Sequence, residues 1–154
     1  MDYSIQLFSD SIENNLSQKI IDKIQNGQWT EILNNLCYIK ENTIILDYIY
    51  FKHFAHKNTY DIILNYIVNK IDHLLAKYTN FDMHVNLKNF TVIDIDKHRS
   101  FIQNAAGHLK DRYPEKLSRC YIYNAPFIFS QFYNIINLFI DKNTQKKIQL
   151  VSPK

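Results

Sequence analysis

The chain has 154 residues, of which 46% are apolar, 14% aromatic and 21% charged, with only two glycines and three prolines. That length supports one domain with a sizeable core rather than two. Gly27 and Gly107 stand alone, which excludes the glycine-rich loops that wrap nucleotide phosphates and argues against a turn-rich β sandwich or barrel. Eighteen basic against fifteen acidic residues leave a dispersed net charge of +3, a mild bias toward anionic partners and not a nucleic-acid-binding profile.

In chain order, Asp10 and Glu13 form a capping-box-like start. Ile12, Leu16, Ile20 and Ile24 fall near one face and Gly27 stands where a helix C-cap would, which predicts a first helix. Trp29, Ile32, Leu33 and Leu36 predict a second, shorter one. Residues 43–51 (TIILDYIYF) are β-branched and aromatic over a strand's length and predict a strand buried on both faces. Between residues 58 and 77, Ile63, Leu64, Ile67, Ile71, Leu74 and Leu75 recur at spacings of three and four, as an amphipathic helix demands.

Phe81, Met83, Val85 and Leu87 then alternate with Asp82, His84, Asn86 and Lys88, the period of a half-buried strand. A helix over about 96–111, a strand over 119–123, a further helix and a short strand over 148–151 complete the pattern. Strands separated by helices call for crossover connections and a mainly parallel sheet, hence an α/β fold. Residues 1–40 read as a short helical N-terminal preface and 41–154 as a single compact unit.

Residues 124–140 (NAPFIFSQFYNIINLFI) carry no charge until Asp141, and their aromatic and aliphatic side chains spread around a helix rather than down one stripe. The stretch is too short and too rich in Asn, Gln and Ser to span a bilayer. Two readings remain at this point: a central core helix, or a helix with one face on an internal pocket and the other at a membrane interface.

Cys37 and Cys120 lack CxxC spacing and read as buried free thiols in a reducing, intracellular compartment. The N-terminus, Met1-Asp2-Tyr3-Ser4, has an acid where a signal peptide needs positive charge, so neither export nor anchoring is expected. His53 and His56 have a ligand-like spacing, but neither Cys nor an acidic pair completes a set with them or with His73, His84, His98 and His108, and no metal is expected. The abundance of Ile, Asn, Lys and Tyr, whose codons are AT-rich, suits the genome of a large DNA virus or a protist.

An ordered series of motifs runs through the C-terminal half: Val85-Asn86-Leu87-Lys88-Asn89, then Tyr113-Pro114-Glu115-Lys116-Leu117, then Tyr121-Ile122-Tyr123-Asn124-Ala125-Pro126-Phe127, then Phe139-Ile140-Asp141, Thr144 and Lys147-Ile148. In order and spacing it resembles the CRAL-TRIO lipid-binding family over residues 80–151. The resemblance implies a mainly parallel sheet flooring a hydrophobic pocket for one phospholipid, with a gating helix that opens on a membrane. It places residues 127–140 at the gate. The acyl pocket and gate would then comprise Phe81, Met83, Tyr121, Tyr123, Phe127, Phe129, Phe132, Tyr133, Ile136 and Phe139.

By the same resemblance, Glu115, Thr144 and Lys147 occupy the positions that read a phosphoinositol headgroup. Their chemistry suits it: Lys147 offers a point charge to phosphate, Thr144 a hydroxyl, and Glu115 a carboxylate that accepts from ring hydroxyls. The hydroxyl side chains of the family's choline-type site are replaced here by Phe81 and Met83, which implies phosphatidylinositol as ligand, with weak or absent phosphatidylcholine binding. The family's Asp and Gly fall on Asn86 and Asn89, so the turn needs Asn89 in a left-handed conformation. The closing segment that usually follows residue 154's equivalent is not in the chain, which implies a minimal pocket.

These readings define a phosphatidylinositol-binding and transfer protein, not an enzyme, since no nucleophile, base and orienter come together in the sequence. No cofactor is expected besides the bound phospholipid. Its partners would be the phospholipid and, transiently, a membrane surface, without nucleic acid, in a cytoplasmic, peripherally membrane-associated setting. The alternative is an adaptor that senses a phosphoinositide, or binds a protein, without transfer.

Overall fold

The computed structural model describes residues 15–125, 134, 137 and 139–151. Helices α1 (Leu16–Gln25) and α2 (Trp29–Leu36) come first, followed by strands β1 (Cys37–Lys40) and β2 (Thr43–Asp47). Helices α3 (Tyr48–Phe54) and α4 (Tyr60–Leu75) lead to β3 (Phe81–Asn86), and α5 (Val92–Lys97) and α6 (Arg99–Arg112) lead to β4 (Leu117–Tyr123). Helix α7 (Lys142–Gln145) precedes β5 (Ile148–Val151). The five strands lie in the order β1-β2-β3-β4-β5, with β1 antiparallel to β2 and all other neighbours parallel. This is the mainly parallel α/β sheet that the alternation of strands and helices requires.

The main core joins Leu16 and Ile20 of α1, Ile32, Leu33 and Leu36 of α2, Ile44 of β2, and Ile63, Leu64, Ile67, Val68, Ile71 and Leu74 of α4. The apolar stripe of α4 is therefore buried as its period demands. Gly27 takes φ 77, the left-handed residue past the end of α1. The capping-box pair Asp10 and Glu13, with Ile12, lies outside the described residues.

Three elements differ from the sequence reading. The strand foreseen over 43–51 ends at Asp47, and Tyr48–Phe54 is helical, with Tyr48, Ile49, Tyr50 and Phe54 buried. An apolar run buried all round gives no period from which to tell helix from strand. Strand β1 was not foreseen: it pairs with β2 through the two-residue turn Glu41-Asn42, and Glu41 supplies the positive φ of 57 that glycine usually supplies. The helix foreseen over 96–111 is two helices broken at His98, the first opened by a capping box in which Thr91 and Asp94 exchange side-chain and backbone hydrogen bonds.

Candidate binding cavity

The Tyr113-Pro114-Glu115 turn joins α6 to β4 and is held by a polar clamp. Arg112 donates to both carboxylate oxygens of Asp72, at 3.3 Å from Nε and 2.7 Å from Nη2. The Tyr113 hydroxyl lies 2.7 Å from Asp72 Oδ1 and 3.1 Å from the Val68 carbonyl. Burial, reinforced by Asp72, pushes the Tyr113 phenol up to about 12, while the Arg112 guanidinium and the Tyr113 hydroxyl hold the Asp72 carboxyl below its usual range. With α4 thus fastened to the end of α6, the chain reverses through Glu115, whose φ of 61 is left-handed. A non-glycine residue held there stores about 1–3 kcal/mol of strain, a pattern that clusters at functional sites.

Below this turn lies a cavity of about 450 Å³. Its sheet wall comprises Phe81, Met83, Leu117, Cys120 and Ile148, and Ala106 and Leu109 of α6 face it with Phe139 and Ile140. Its mouth is polar, ringed by Lys110, Glu115, Asp141, Asn143, Thr144 and Lys147. Glu115 Oε2 stands 4.0 Å from Lys147 Nζ, and Asn143 Nδ2 donates to Glu115 Oε1 at 3.3 Å. Lys110 Nζ is 3.4 Å from Asp141 Oδ2, and Asp141 caps α7 by accepting from the Thr144 amide at 2.7 Å. That amide bond and the nearby Lys110 hold the Asp141 carboxyl below its ordinary value. Burial pushes the Cys120 thiol up to about 12, so at neutral pH it is an uncharged part of the apolar wall.

The structure brings Glu115, Thr144 and Lys147 to one mouth, and Phe81, Met83 and Phe139 to the wall beneath it. Tyr121 and Tyr123 are not among the residues that line this cavity. The register pairs Met83 with Cys120 and Val85 with Ile122, so Cys120 and Ile122 face the cavity side while Tyr121 and Tyr123 alternate to the other face. There the His84 ring stacks on both tyrosines, with Nδ1 2.7 Å from the Tyr123 hydroxyl. Phe127, Phe129, Phe132, Tyr133 and Ile136 lie outside the described residues. Lys110, Asp141 and Asn143 join the mouth although only Asp141 fell within a sequence motif; single polar residues near helix ends carry no pattern that would mark them. Asn89 adopts φ 69, the left-handed turn foreseen for it. Among the described residues no cluster of three or more potential metal ligands occurs, and no helix is long and apolar enough to cross a membrane.

The site is thus a cavity walled by a mainly parallel α/β sheet, largely apolar in its lining and edged by charged and polar side chains. The CRAL/TRIO domain model matches residues 51–154, and the chain belongs to that family. It is 36% identical over 67 residues to the Sec14 cytosolic factor of Schizosaccharomyces pombe, covering 44% of this chain and 23% of that protein. It is 30% identical over 66 residues to the SEC14 cytosolic factor of Yarrowia lipolytica, covering 43% and 13% respectively. The matched part thus spans less than a quarter of either relative. The crystal structure of Sfh5 shares the fold, with a TM-score of 0.60 at 18% identity over 86% of this chain and 59% of that one.

Proposed function

We propose that the chain holds one phospholipid, with phosphatidylinositol as its preferred cargo, and moves it between membranes as a cytoplasmic, peripherally associated carrier. One observation carries this reading: Glu115, Thr144 and Lys147 converge on a cavity whose lining is largely apolar. An ammonium next to a hydroxyl and a carboxylate suits a phosphodiester joined to a polyol, because the lysine can take the phosphate and the carboxylate the ring hydroxyls. The wall suits acyl chains. Burying two of them is worth about 0.8 kcal/mol per CH₂, tens of kcal/mol in all, so a lipid leaves a bilayer readily only into another apolar container. Such carriage breaks no covalent bond and needs no cofactor.

Phe81 and Met83 on the wall offer no hydrogen bond to a phosphate, which favours phosphatidylinositol over phosphatidylcholine. Mass spectrometry of lipid co-purifying with the protein, followed by competition between the two lipids, tests the reading. Phosphatidylinositol is expected to dominate; phosphatidylcholine as the main cargo overturns the assignment.

A further inference from the structure

The first turn of helix α5 is inverted with respect to a surface helix: Asp94 is 8% exposed and turned inward by the capping box, and Ile95 is buried beside it, whereas Val92 and Ile93 are 61% and 77% exposed. Among the described residues these are the most exposed large aliphatic side chains. Thr91 and Asp94 close on each other as a capping box, and the two residues between them occupy the outer side of the first turn. Two adjacent β-branched aliphatics held in water gain nothing for the fold.

The surroundings are basic. Lys97 follows Ile93 by one helical turn and is exposed. Lys52 of α3 reaches across to donate to the Asn89 carbonyl at 2.9 Å, just before α5 begins. Burial holds the His53 imidazole below its ordinary value, and both lysines add to that effect. Of the acids on α5, Asp94 faces inward and Asp96 is bound to Arg99 at 2.7 Å, so little negative charge offsets the lysines.

The position adds a third argument. Leu87 donates its amide to the Tyr123 carbonyl, and Asn124 Nδ2 donates to Asn86 Oδ1 at 2.8 Å. The exits of β3 and β4 are therefore side by side, and α5 stands at the edge of the sheet where the uncharged 124–140 connection departs. The ionic mouth, at the entries to β4 and β5, is at the other edge.

We propose that Val92 and Ile93, flanked by Lys52 and Lys97, form a surface that docks on an anionic membrane. A protein partner fits less well, because protein interfaces are depleted in lysine and take their energy from Trp, Tyr and Arg, and Arg99, the arginine nearest in the chain, is already held by Asp96. A leaflet rich in anionic lipid rewards this combination: lysines are attracted to the surface charge and short aliphatic side chains enter the interface. The proposal rests on the lipid-carrier reading for its purpose, but its geometry does not involve the cavity.

The test is sedimentation of the full chain with vesicles of phosphatidylcholine, with and without phosphatidylserine, with co-purified lipid measured in the same preparations. The wild type is expected to bind the phosphatidylserine vesicles more tightly, and less so as salt is raised. The Val92→Ser/Ile93→Ser variant is expected to bind at least tenfold more weakly while retaining its thermal midpoint and its co-purified lipid. Lys97→Glu is expected to weaken binding to the phosphatidylserine vesicles alone. Undiminished binding by both variants, or a wild type that sediments with neither vesicle, overturns the proposal. Docking that depends on Val92 and Ile93 in a protein carrying no phospholipid supports the surface and overturns the carrier reading instead.

Discussion

Glu115 and Lys147 face each other across the cavity mouth with carboxylate and ammonium 4.0 Å apart, a loose ion pair in which Glu115 also accepts from Asn143 at 3.3 Å. Glu115 is largely exposed and Lys147 half-buried, so the pair contributes little to folding, as exposed ion pairs generally do. A charge-assisted hydrogen bond to a bound headgroup is worth more, about 1.5–3 kcal/mol. Glu115→Ala and Lys147→Ala are therefore each expected to weaken phosphatidylinositol binding about 10–100-fold, with the melting temperature nearly unchanged. Vesicle-to-vesicle transfer of a fluorescent phosphatidylinositol reads the effect, and an unaltered rate in both variants removes these residues from the headgroup site.

The backbone at Glu115 separates strain from function. Its φ of 61 disfavours any residue with a Cβ, and glycine relieves that cost. Glu115→Gly is expected to raise stability by about 1 kcal/mol, visible as a rise in melting temperature, while phosphatidylinositol binding falls as in the alanine variant. A glycine variant that is both less stable and fully active would show that the turn is neither strained nor placed for binding.

The clamp behind that turn gives a pH dependence with a definite sign. Asp72 is held below its unfolded value of 3.8, chiefly by hydrogen bonds from Arg112 and Tyr113. A depressed carboxyl contributes stability that is present above the unfolded pKa and lost as pH falls through the lower, folded one. Urea midpoints of the wild type should therefore drop below about pH 4, and Asp72→Asn should be less acid-sensitive there. At neutral pH the same variant should cost about 1 kcal/mol through the weakened bonds to Arg112 and Tyr113. Because Tyr113 precedes Glu115 by two residues, phosphatidylinositol affinity should fall with it.

The parts of this molecule with a clear period were legible in its sequence. The alternation from Phe81 and the three-and-four spacing through Ile63 to Leu74 mark β3 and α4; the face α4 buries is the one observed, whereas β3 is covered on both faces, with His84 and Asn86 buried on the side read as polar. The segment through Tyr48, Ile49 and Tyr50 was not legible, because side chains buried on every side leave no period to read. Nor was the β1–β2 hairpin, whose turn hides its left-handed residue in Glu41. At the cavity, ordered motifs singled out Glu115, Thr144 and Lys147, but they could not say which face of β4 looks inward. That depends on the register against Met83, a long-range relationship, and it turned Tyr121 and Tyr123 away from the cavity.

On that other face, burial lowers the pKa of His84, so the folded chain favours the neutral ring. His53 and His98 are lowered by burial as well. The stability these neutral imidazoles carry is complete above the unfolded value of 6.5 and declines as pH falls from there through their lower folded values. Each proton taken up by the unfolded state alone steepens the loss by at most about 1.4 kcal/mol per pH unit. Chemical denaturation at about pH 7.5 and about pH 5.5 should give a lower midpoint at the acid end. The difference should narrow in His84→Phe without vanishing, since His53 and His98 remain.

Met83 offers a way to change the cargo. Its side chain lines the cavity and is only partly buried, whereas Phe81 beside it is 3% exposed and packs in the main core. Phe81→Ser would cost about 3–5 kcal/mol in lost packing and threaten the fold, as large-to-small core changes do. Met83→Thr should cost about 1–3 kcal/mol, within reach of a domain stable by about 5–15 kcal/mol. Its hydroxyl would stand on the cavity wall directly opposite Cys120, able to donate to a phosphate that methionine cannot serve. The expected outcome is a higher proportion of phosphatidylcholine among co-purified lipids, with phosphatidylinositol binding retained because Glu115, Thr144 and Lys147 are untouched. An unchanged lipid ratio in a folded Met83→Thr protein would mean that choline lipids are excluded by the shape of the cavity and not by the missing hydroxyl.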